Sequence, residues 1–341
     1  ADRLSRKWLI VGSLFVWSAV TFLMGYATTF EQLYGLRAVM GISEALYIPS
    51  ALSLIADWHQ DKSRSLAIGV HMTGLYVGQA IGGFGATAAA AFSWQSTFHW
   101  FGIVGIAYSV VLIFFLHENP VRMKIEKVVA NGISKGNSIG KGLLLLFSNI
   151  SFWVILFYFA APSLPGWATK NWLPTLFAEN LDIPMSQAGP ISTITIALSS
   201  FVGVILGGFL SDRWVLKNIR GRVYTGAIGL GMTIPALLLL GFGHGFISVI
   251  GAGLLFGIGF GIFDANNMPI LCQFVSAKYR GTAYGIMNMT GVFAGAAVTQ
   301  LLGKWTDGGS LGEGFAMLSI VVALALGLQL YFLRPKTDNM E

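Results

Sequence analysis

Long apolar stretches alternate with short polar connections along the whole chain. Each stretch is roughly 20 residues or longer, the length that an α-helix needs to cross the hydrocarbon core of a bilayer. We predict ten such helices, near residues 8–27, 33–56, 66–92, 98–116, 146–178, 190–210, 223–243, 246–275, 282–303 and 314–333. The pattern therefore predicts an all-α membrane protein whose surroundings are the lipid bilayer.

The composition supports this class. Hydrophobic residues make up 55% of the chain and charged residues only 11%, whereas about a quarter of the residues in a soluble domain are charged. Small residues at helical spacing let two helices approach closely within a membrane. We therefore expect helix contacts at the spaced glycines, which are Gly74, Gly78 and Gly82, Gly203 and Gly207, and Gly253, Gly257 and Gly261.

The chain contains no pattern that is typical of an enzyme or a metalloprotein. Cys272 is the only cysteine, and no cluster of histidine and cysteine has the spacing of a zinc site. No serine, histidine and aspartate can be grouped as a catalytic triad. We expect neither enzymatic activity nor a cofactor.

The basic residues are distributed unevenly between the two sides of the predicted bundle. Most of the 21 lysines and arginines fall in connections on one side, which the positive-inside rule assigns to the cytoplasm. Both chain ends then lie in the cytoplasm, and the net charge of +6 reflects membrane orientation and not a nucleic-acid partner. We expect a location in a plasma membrane, such as the inner membrane of a bacterium.

Three short signals occur twice in the same order, which indicates a duplicated unit. The repeated pairs are 41–49 with 261–269, Asp2-Arg3 with Asp212-Arg213, and 64–69 with 280–285. We predict two pseudo-symmetric halves, residues 1–116 and 143–341, joined by a cytoplasmic linker at 117–142. Two predicted helices precede the second Asp-Arg pair and none precedes the first, so we expect two further helices in the parent protein, with ten of twelve present here.

These motifs resemble those of the major facilitator superfamily. Asp2-Arg3-Leu-Ser-Arg6-Lys7 resembles the end of its signature loop between the second and third helices, and the segment 207–213 resembles the matching loop of the second half. Within the superfamily, residues 37–45, 171–174 and 280–283 are similar to the anion:cation symporter family of hexuronate, galactonate and phthalate carriers. The resemblance implies helices 3–6 of the family fold in the first half and helices 7–12 in the second.

Arg37 and Glu44 are charged residues within the second predicted helix. Seven positions are nearly two helical turns, so both side chains face the same way about 10 Å apart. We interpret Arg37 as a ligand for a substrate carboxylate, which its planar guanidinium can bind with two hydrogen bonds. We interpret Glu44 as the acid that couples transport to protons. The alternative is that each residue pairs with a neighbouring helix and only holds the bundle together.

Asp264 occupies the position in the second half that corresponds to Glu44, and Asn266 and Asn267 follow it. Substrate sites in duplicated transporters lie near the midplane, where the two repeats meet. We therefore assign Asp264 to proton coupling and Asn267 to substrate binding. The alternative is an aspartate that is hydrogen-bonded to a neighbouring helix.

Further polar and aromatic residues are candidates for lining a cavity. Those assigned to substrate binding are Tyr76, Gln79, Asn171, Trp172 and Asn288, and helix packing or anchoring at the membrane interface is the alternative for each. We expect Lys170 to extend to the outer interface, and attraction of anions is the alternative. Pro162, Pro165 and Pro174 are expected to break or kink their helix.

The two Asp-Arg pairs are candidates for gating. The resemblance implies that the loops of Asp2 and Arg3 and of Asp212 and Arg213 hold the two halves together when a carrier faces outward. Charges that only set the orientation in the membrane are the alternative for these four residues.

The sequence favours a secondary active transporter that imports a small organic anion, such as a sugar acid, together with protons by alternating access. We expect it to function as a monomer. Two alternatives stay open, an exporter or uniporter of neutral solutes and a membrane sensor that keeps the transporter fold.

Overall fold

A computed structural model describes residues 5–58, 61–118, 146–148, 150–275 and 280–334. Asp2, Arg3 and most of the expected linker at 117–142 lie outside these ranges. The expected boundaries of the two halves remain a prediction.

The described residues form helices and no strands. In the first part of the chain these are α1 (Arg6–Met24), α2 (Phe30–Trp58), α3 (Asp61–Gly82), α4 (Gly85–Ala91) and α5 (Trp94–Phe115). In the second part they are α6 (Ile150–Leu181), α7 (Met185–Val215), α8 (Gly221–Phe242), α9 (Phe246–Asp264), α10 (Asn267–Phe274), α11 (Arg280–Asp307) and α12 (Leu311–Phe332). The prediction of an all-helical protein is confirmed.

All ten predicted helices are present, and two of them are interrupted. The predicted helix at 66–92 is divided into α3 and α4, and that at 246–275 is divided into α9 and α10. Among the described residues, eight segments are long and apolar enough to cross a membrane, with α9 and α10 forming one of them. Polar residues lower the hydropathy of α2, which contains Glu31, Arg37 and Glu44.

The chain divides into two compact units, and the division passes through α3. The first unit comprises residues 1–75 and 85–136, and the second comprises 76–84 and 137–341. Within the first unit, α1 packs against both α2 and α5. A small core joins Ile10, Ala51 and Leu54, and Ser5 caps α1 by accepting a hydrogen bond from the Trp8 backbone N–H at 3.3 Å.

The second unit has one continuous apolar core that draws on all of its long helices. At its centre, α9 packs against α7 and α8. A Cβ atom added to Gly203 would meet the backbone of Ile258, and one added to Gly261 would meet the backbone of Ser200. The expected glycine contacts between α7 and α9 are therefore confirmed.

The glycines of α3 behave differently. Cβ atoms added to Gly74, Gly78 and Gly82 would meet nothing within 4 Å in the described structure. The expected helix contact at this spacing is therefore wrong for the part of the chain that the structure describes.

The prolines of α6 do not interrupt it, because the helix is continuous from Ile150 to Leu181 through Pro162, Pro165 and Pro174. Of the expected break or kink, the break is therefore not present, and the kink remains a prediction. A proline removes one backbone donor and leaves a carbonyl without its helical partner, which membrane helices tolerate when neighbouring groups compensate.

Candidate functional site

A pocket of about 220 Å³ opens in the second unit between the end of α3, the middle of α6 and the first half of α7. Its lining residues are Gln79, Thr169, Lys170, Leu173, Ser192, Thr193 and Ile196. Most of these side chains are polar. They include one cation and no acid, so the pocket carries positive charge.

Lys170 supplies that charge from α6. Its ammonium nitrogen lies 4.9 Å from the centre of the Trp167 ring, less than one turn earlier on the same helix. Such a cation–π contact orients the ammonium group without neutralising it. The sequence predicted Lys170 at the outer interface, with attraction of anions as the alternative, and the structure places it in the lining of the pocket.

The hydroxyl groups of the pocket direct their hydrogens to backbone carbonyls. Ser192 Oγ donates to the Gly189 oxygen at 2.9 Å, and Thr169 Oγ1 donates to the Gly166 oxygen at 2.9 Å. Thr193 Oγ1 lies 3.0 Å from the Gly189 oxygen. A hydroxyl oxygen that has used its one hydrogen still offers lone pairs, so these three groups can accept hydrogen bonds from a ligand.

The end of α3 contributes two residues that the sequence analysis selected. Gln79 lines the pocket. Tyr76 is half-buried, and its ring meets that of Phe201 on α7 edge-on, with 6.3 Å between the ring centres. Of the predicted substrate ligands, Gln79 is therefore the one that the structure places beside Lys170 in the pocket wall.

A second polar region lies at the interruption between α9 and α10. Asp264 is the last residue of α9, and the Nδ2 atom of Asn267 donates to its Oδ1 atom at 3.1 Å. The Nδ2 atom of Asn266 donates to the Ile262 carbonyl oxygen at 2.8 Å. Asn266 and Asn267 are buried, whereas Asp264 is exposed within an apolar segment of 29 residues.

The charge of Asp264 reaches other groups of the second unit. Lys170 lies within electrostatic range of its carboxylate, as do the phenol groups of Tyr76 and Tyr158. Tyr158 is buried, and its hydroxyl has no hydrogen-bond partner among the described residues. The pocket and the interruption therefore influence each other through charge.

Two other predicted ligands are held in a contact between α6 and α11. The Nδ2 atom of Asn171 donates to Thr299 Oγ1 at 3.0 Å, and Trp172 Nε1 donates to the Thr299 carbonyl oxygen at 3.1 Å. Asn288 is half-buried on α11. The structure does not place these three residues in the lining of the pocket.

In the first unit, Arg37 and Glu44 lie on α2, seven positions apart on one continuous helix. Both side chains are exposed. The described part of the chain shows no hydrogen bond or ion pair for either of them.

The residues expected to act in gating are only partly described. Asp212 and Arg213 are exposed at the end of α7, where the Arg213 guanidinium lies 4.0 Å from the centre of the Phe209 ring. Asp2 and Arg3 lie outside the described residues. The gating role remains a prediction.

A third cluster, at the start of α1, was missed by the sequence analysis. Ser5 Oγ donates to Glu118 Oε1 at 2.5 Å, and the Lys7 backbone N–H donates to the same oxygen at 3.0 Å. Lys7 Nζ donates to the Ile113 carbonyl oxygen at 2.6 Å. A carboxylate at a helix N-terminus is favoured by the helix dipole, and an acid directly after the apolar stretch that ends at residue 116 was the signal for it.

Most of the helices are long and apolar, two of the predicted ones are interrupted, and a charged pocket lies in the second unit. These features are typical of an integral membrane protein of the transporter class. The chain belongs to the major facilitator superfamily, whose family model matches residues 1–300. Its curated relatives are transporters and not enzymes.

The chain is similar to a D-galactonate transporter of Escherichia coli O6:H1, with 26% identity over 362 aligned positions that cover 95% of this chain and 79% of the relative. It is also similar to the probable anion transporter 2, chloroplastic, of Oryza sativa subsp. japonica, with 24% identity, covering 100% of this chain and 65% of the relative.

The fold is similar to that of a bacterial homologue of the human lysosomal transporter Spinster, solved in an inward-facing and unoccupied conformation. The TM-score is 0.77 at 17% identity, and the match covers 99% of this chain and 85% of that chain. This likeness concerns the fold alone.

Proposed function

We propose that this protein is a secondary active transporter that moves a small organic anion together with protons. The observation that carries the proposal is the pocket beside Lys170, which joins one cation to several neutral polar groups and includes no acid in its lining. The similarity to transporters named for galactonate and for anions supports the same substrate class.

The groups around the pocket match the parts of a sugar acid. The Lys170 ammonium offers three donors to a carboxylate, and the Gln79 amide offers two more. The hydroxyl oxygens of Thr169, Ser192 and Thr193 accept hydrogen bonds from substrate hydroxyl groups. The volume of about 220 Å³ lies below the range of about 300–1,000 Å³ that is usual for drug-sized ligands, which favours a small solute.

Coupling to protons is assigned to acids on apolar helices. An ionised carboxylate in such surroundings is costly unless it is compensated, and an incoming anion adds further negative charge. Protonation of Glu44 removes one of these charges, and Arg37 on the same helix supplies a cation for the substrate carboxylate. Loss of the proton on the cytoplasmic side then favours release of the anion.

The experiment is uptake of D-galactonate and related small sugar acids by proteoliposomes that contain the purified protein. We expect saturable uptake that increases when the lumen is made alkaline relative to the outside and that falls when a protonophore collapses the gradient. Uptake whose rate is independent of an imposed pH gradient would favour a uniporter. Binding without any uptake would favour a sensor.

A further inference from the structure

We propose that the interruption between α9 and α10 binds a sodium ion through the Asp264 carboxylate, the Asn267 amide oxygen and a backbone carbonyl oxygen freed at the break. The role of this sodium ion in transport rests on the proposed function, with a proton on Glu44 and sodium at Asp264 as the two coupling ions. Binding of the sodium ion can be measured without transport.

The first observation is a pair of buried amide oxygens without donors. Asn267 is 5% exposed and Asn266 is 0% exposed, and the Oδ1 atoms of both lack a hydrogen-bond partner among the described residues. Exchanging the oxygen and nitrogen of either amide by rotation would not remove this deficit. Each Nδ2 atom already donates to an oxygen, Asp264 Oδ1 for Asn267 and the Ile262 carbonyl for Asn266, and rotation would place the amide oxygen against that acceptor. A buried acceptor without a partner is costly, and a cation removes that cost.

The second observation is the backbone at the break. Helix α9 ends at Asp264 and α10 begins at Asn267. Pro269 has no N–H, so the carbonyl of Ala265, four residues earlier, has no helical donor. The negative end of the α9 dipole lies at the same place. Interrupted helices of secondary transporters use freed carbonyls and helix C-termini to coordinate sodium ions or protons.

The ligand chemistry favours a monovalent, hard cation. All candidate ligands are oxygens, which suit hard ions, and the cluster contains one carboxylate, whereas calcium sites commonly combine several acidic ligands. The described residues include no group of three or more His, Cys, Asp and Glu side chains that could hold a metal ion. Asp264 lies at the surface of the second unit.

The position of Lys170 links this cation to the anion pocket. Its positive charge lies within range of Asp264 and weakens cation binding while the pocket is empty. An anion that binds to Lys170 neutralises this charge. Sodium and the anion therefore strengthen each other's binding, and thermodynamic linkage makes the two effects equal.

The test is binding of radioactive sodium to the purified full chain in detergent, without substrate, at an ionic strength held constant with choline chloride. We expect saturable binding that excess potassium does not displace. Asp264→Asn and Asn267→Ala should each weaken it by at least about tenfold, since removing groups around a metal site commonly costs 10–100-fold in affinity. Glu179→Gln, which changes an exposed acid of α6, is the matched control and should bind as the wild type does.

Lys170→Gln should bind sodium several-fold more tightly than the wild type when no anion is present, a gain that a misfolded variant cannot produce. Absence of saturable sodium binding, equal displacement by potassium, or unchanged binding in Asp264→Asn would overturn the proposal. Binding of protons but not of sodium at the interruption would identify a proton site and would also overturn the proposal. Sugar-acid uptake driven by a pH gradient, measured separately, would still support the proposed function in each case.

Discussion

Asn267 donates its side-chain amide to the carboxylate of Asp264 across the interruption between α9 and α10, at 3.1 Å. This hydrogen bond joins the end of one half-helix to the start of the next inside an apolar segment of 29 residues. It occupies one carboxylate oxygen and leaves Asp264 exposed. An acid retained in such a position commonly serves ion movement.

Glu44→Gln removes the acid that we assign to proton coupling and keeps the size of the side chain. We expect accumulation of substrate driven by a pH gradient to be lost, while exchange of labelled for unlabelled substrate continues, because exchange needs no net proton movement. Uptake and counterflow in the same proteoliposomes separate these steps. Glu31→Gln, at the first turn of the same helix, is the control and should accumulate substrate normally. Unchanged accumulation in Glu44→Gln would remove the residue from coupling.

Arg37→Ala removes the cation that we assign to the substrate carboxylate. A hydrogen bond to a charged group contributes about 1.5–3 kcal/mol, so the substrate concentration for half-maximal uptake should rise by roughly 10–100-fold. Arg37→Lys keeps the charge and loses the planar fork, and its value should be intermediate. An unaltered concentration dependence in Arg37→Ala would exclude this role.

Asn171 distinguishes substrate binding from helix packing. Asn171→Ala and Thr299→Val each remove one partner of the hydrogen bond between α6 and α11, and such bonds in membrane proteins contribute roughly 0.6 kcal/mol. If the role of Asn171 is helix packing, both single variants lower the thermal stability. The double variant then shows the non-additive change in stability that is expected for a contacting pair. The substrate concentration for half-maximal uptake stays the same. A rise in that concentration for Asn171→Ala alone would support the predicted substrate role.

Gly261→Ala tests the close contact between α7 and α9. The added Cβ atom would lie 2.9 Å from the Val204 backbone nitrogen and 3.0 Å from the Gly203 Cα atom, and overpacking of this kind costs about 1–3 kcal/mol. The midpoint of thermal unfolding in detergent should fall.

Gly251→Ala, on the same helix with nothing within 4 Å of the added atom, is the control for that variant. It should be neutral or slightly stabilising, because alanine favours a helix by up to about 1 kcal/mol over glycine. Equal midpoints for the two variants would contradict the packing.

Hydropathy was sufficient to predict the ten helices, because the bilayer sets their length and the backbone must satisfy its own hydrogen bonds within it. The interruption at Asp264 was not predicted, since the apolar pattern continues through it and only Pro269 marks the freed carbonyl. At Pro162, Pro165 and Pro174 the residue type indicated a break or a kink, and the helix runs through them without a break.

The pocket was only partly predictable. Gln79 was selected as a polar residue on an apolar helix, but Lys170 was assigned to the membrane interface, because sequence alone does not distinguish a lysine that points into a pocket from one that extends to the surface. Asn171 and Trp172 were selected for the same polarity and are hydrogen-bonded to Thr299 instead. Which residues from distant helices meet depends on tertiary packing, which no local pattern in the chain specifies.

The central claim is that a small anion binds beside Lys170, and the most direct measurement compares the thermal stabilisation of the wild type and Lys170→Gln by a panel of sugar acids and aromatic carboxylates. A ligand at 100 times its Kd stabilises a protein by about 2.7 kcal/mol. We predict that at least one carboxylate raises the unfolding temperature of the wild type, and that Lys170→Gln, with unchanged helix content, loses this rise while Lys170→Arg keeps most of it. Equal stabilisation of the wild type and Lys170→Gln by every ligand that binds would contradict the account.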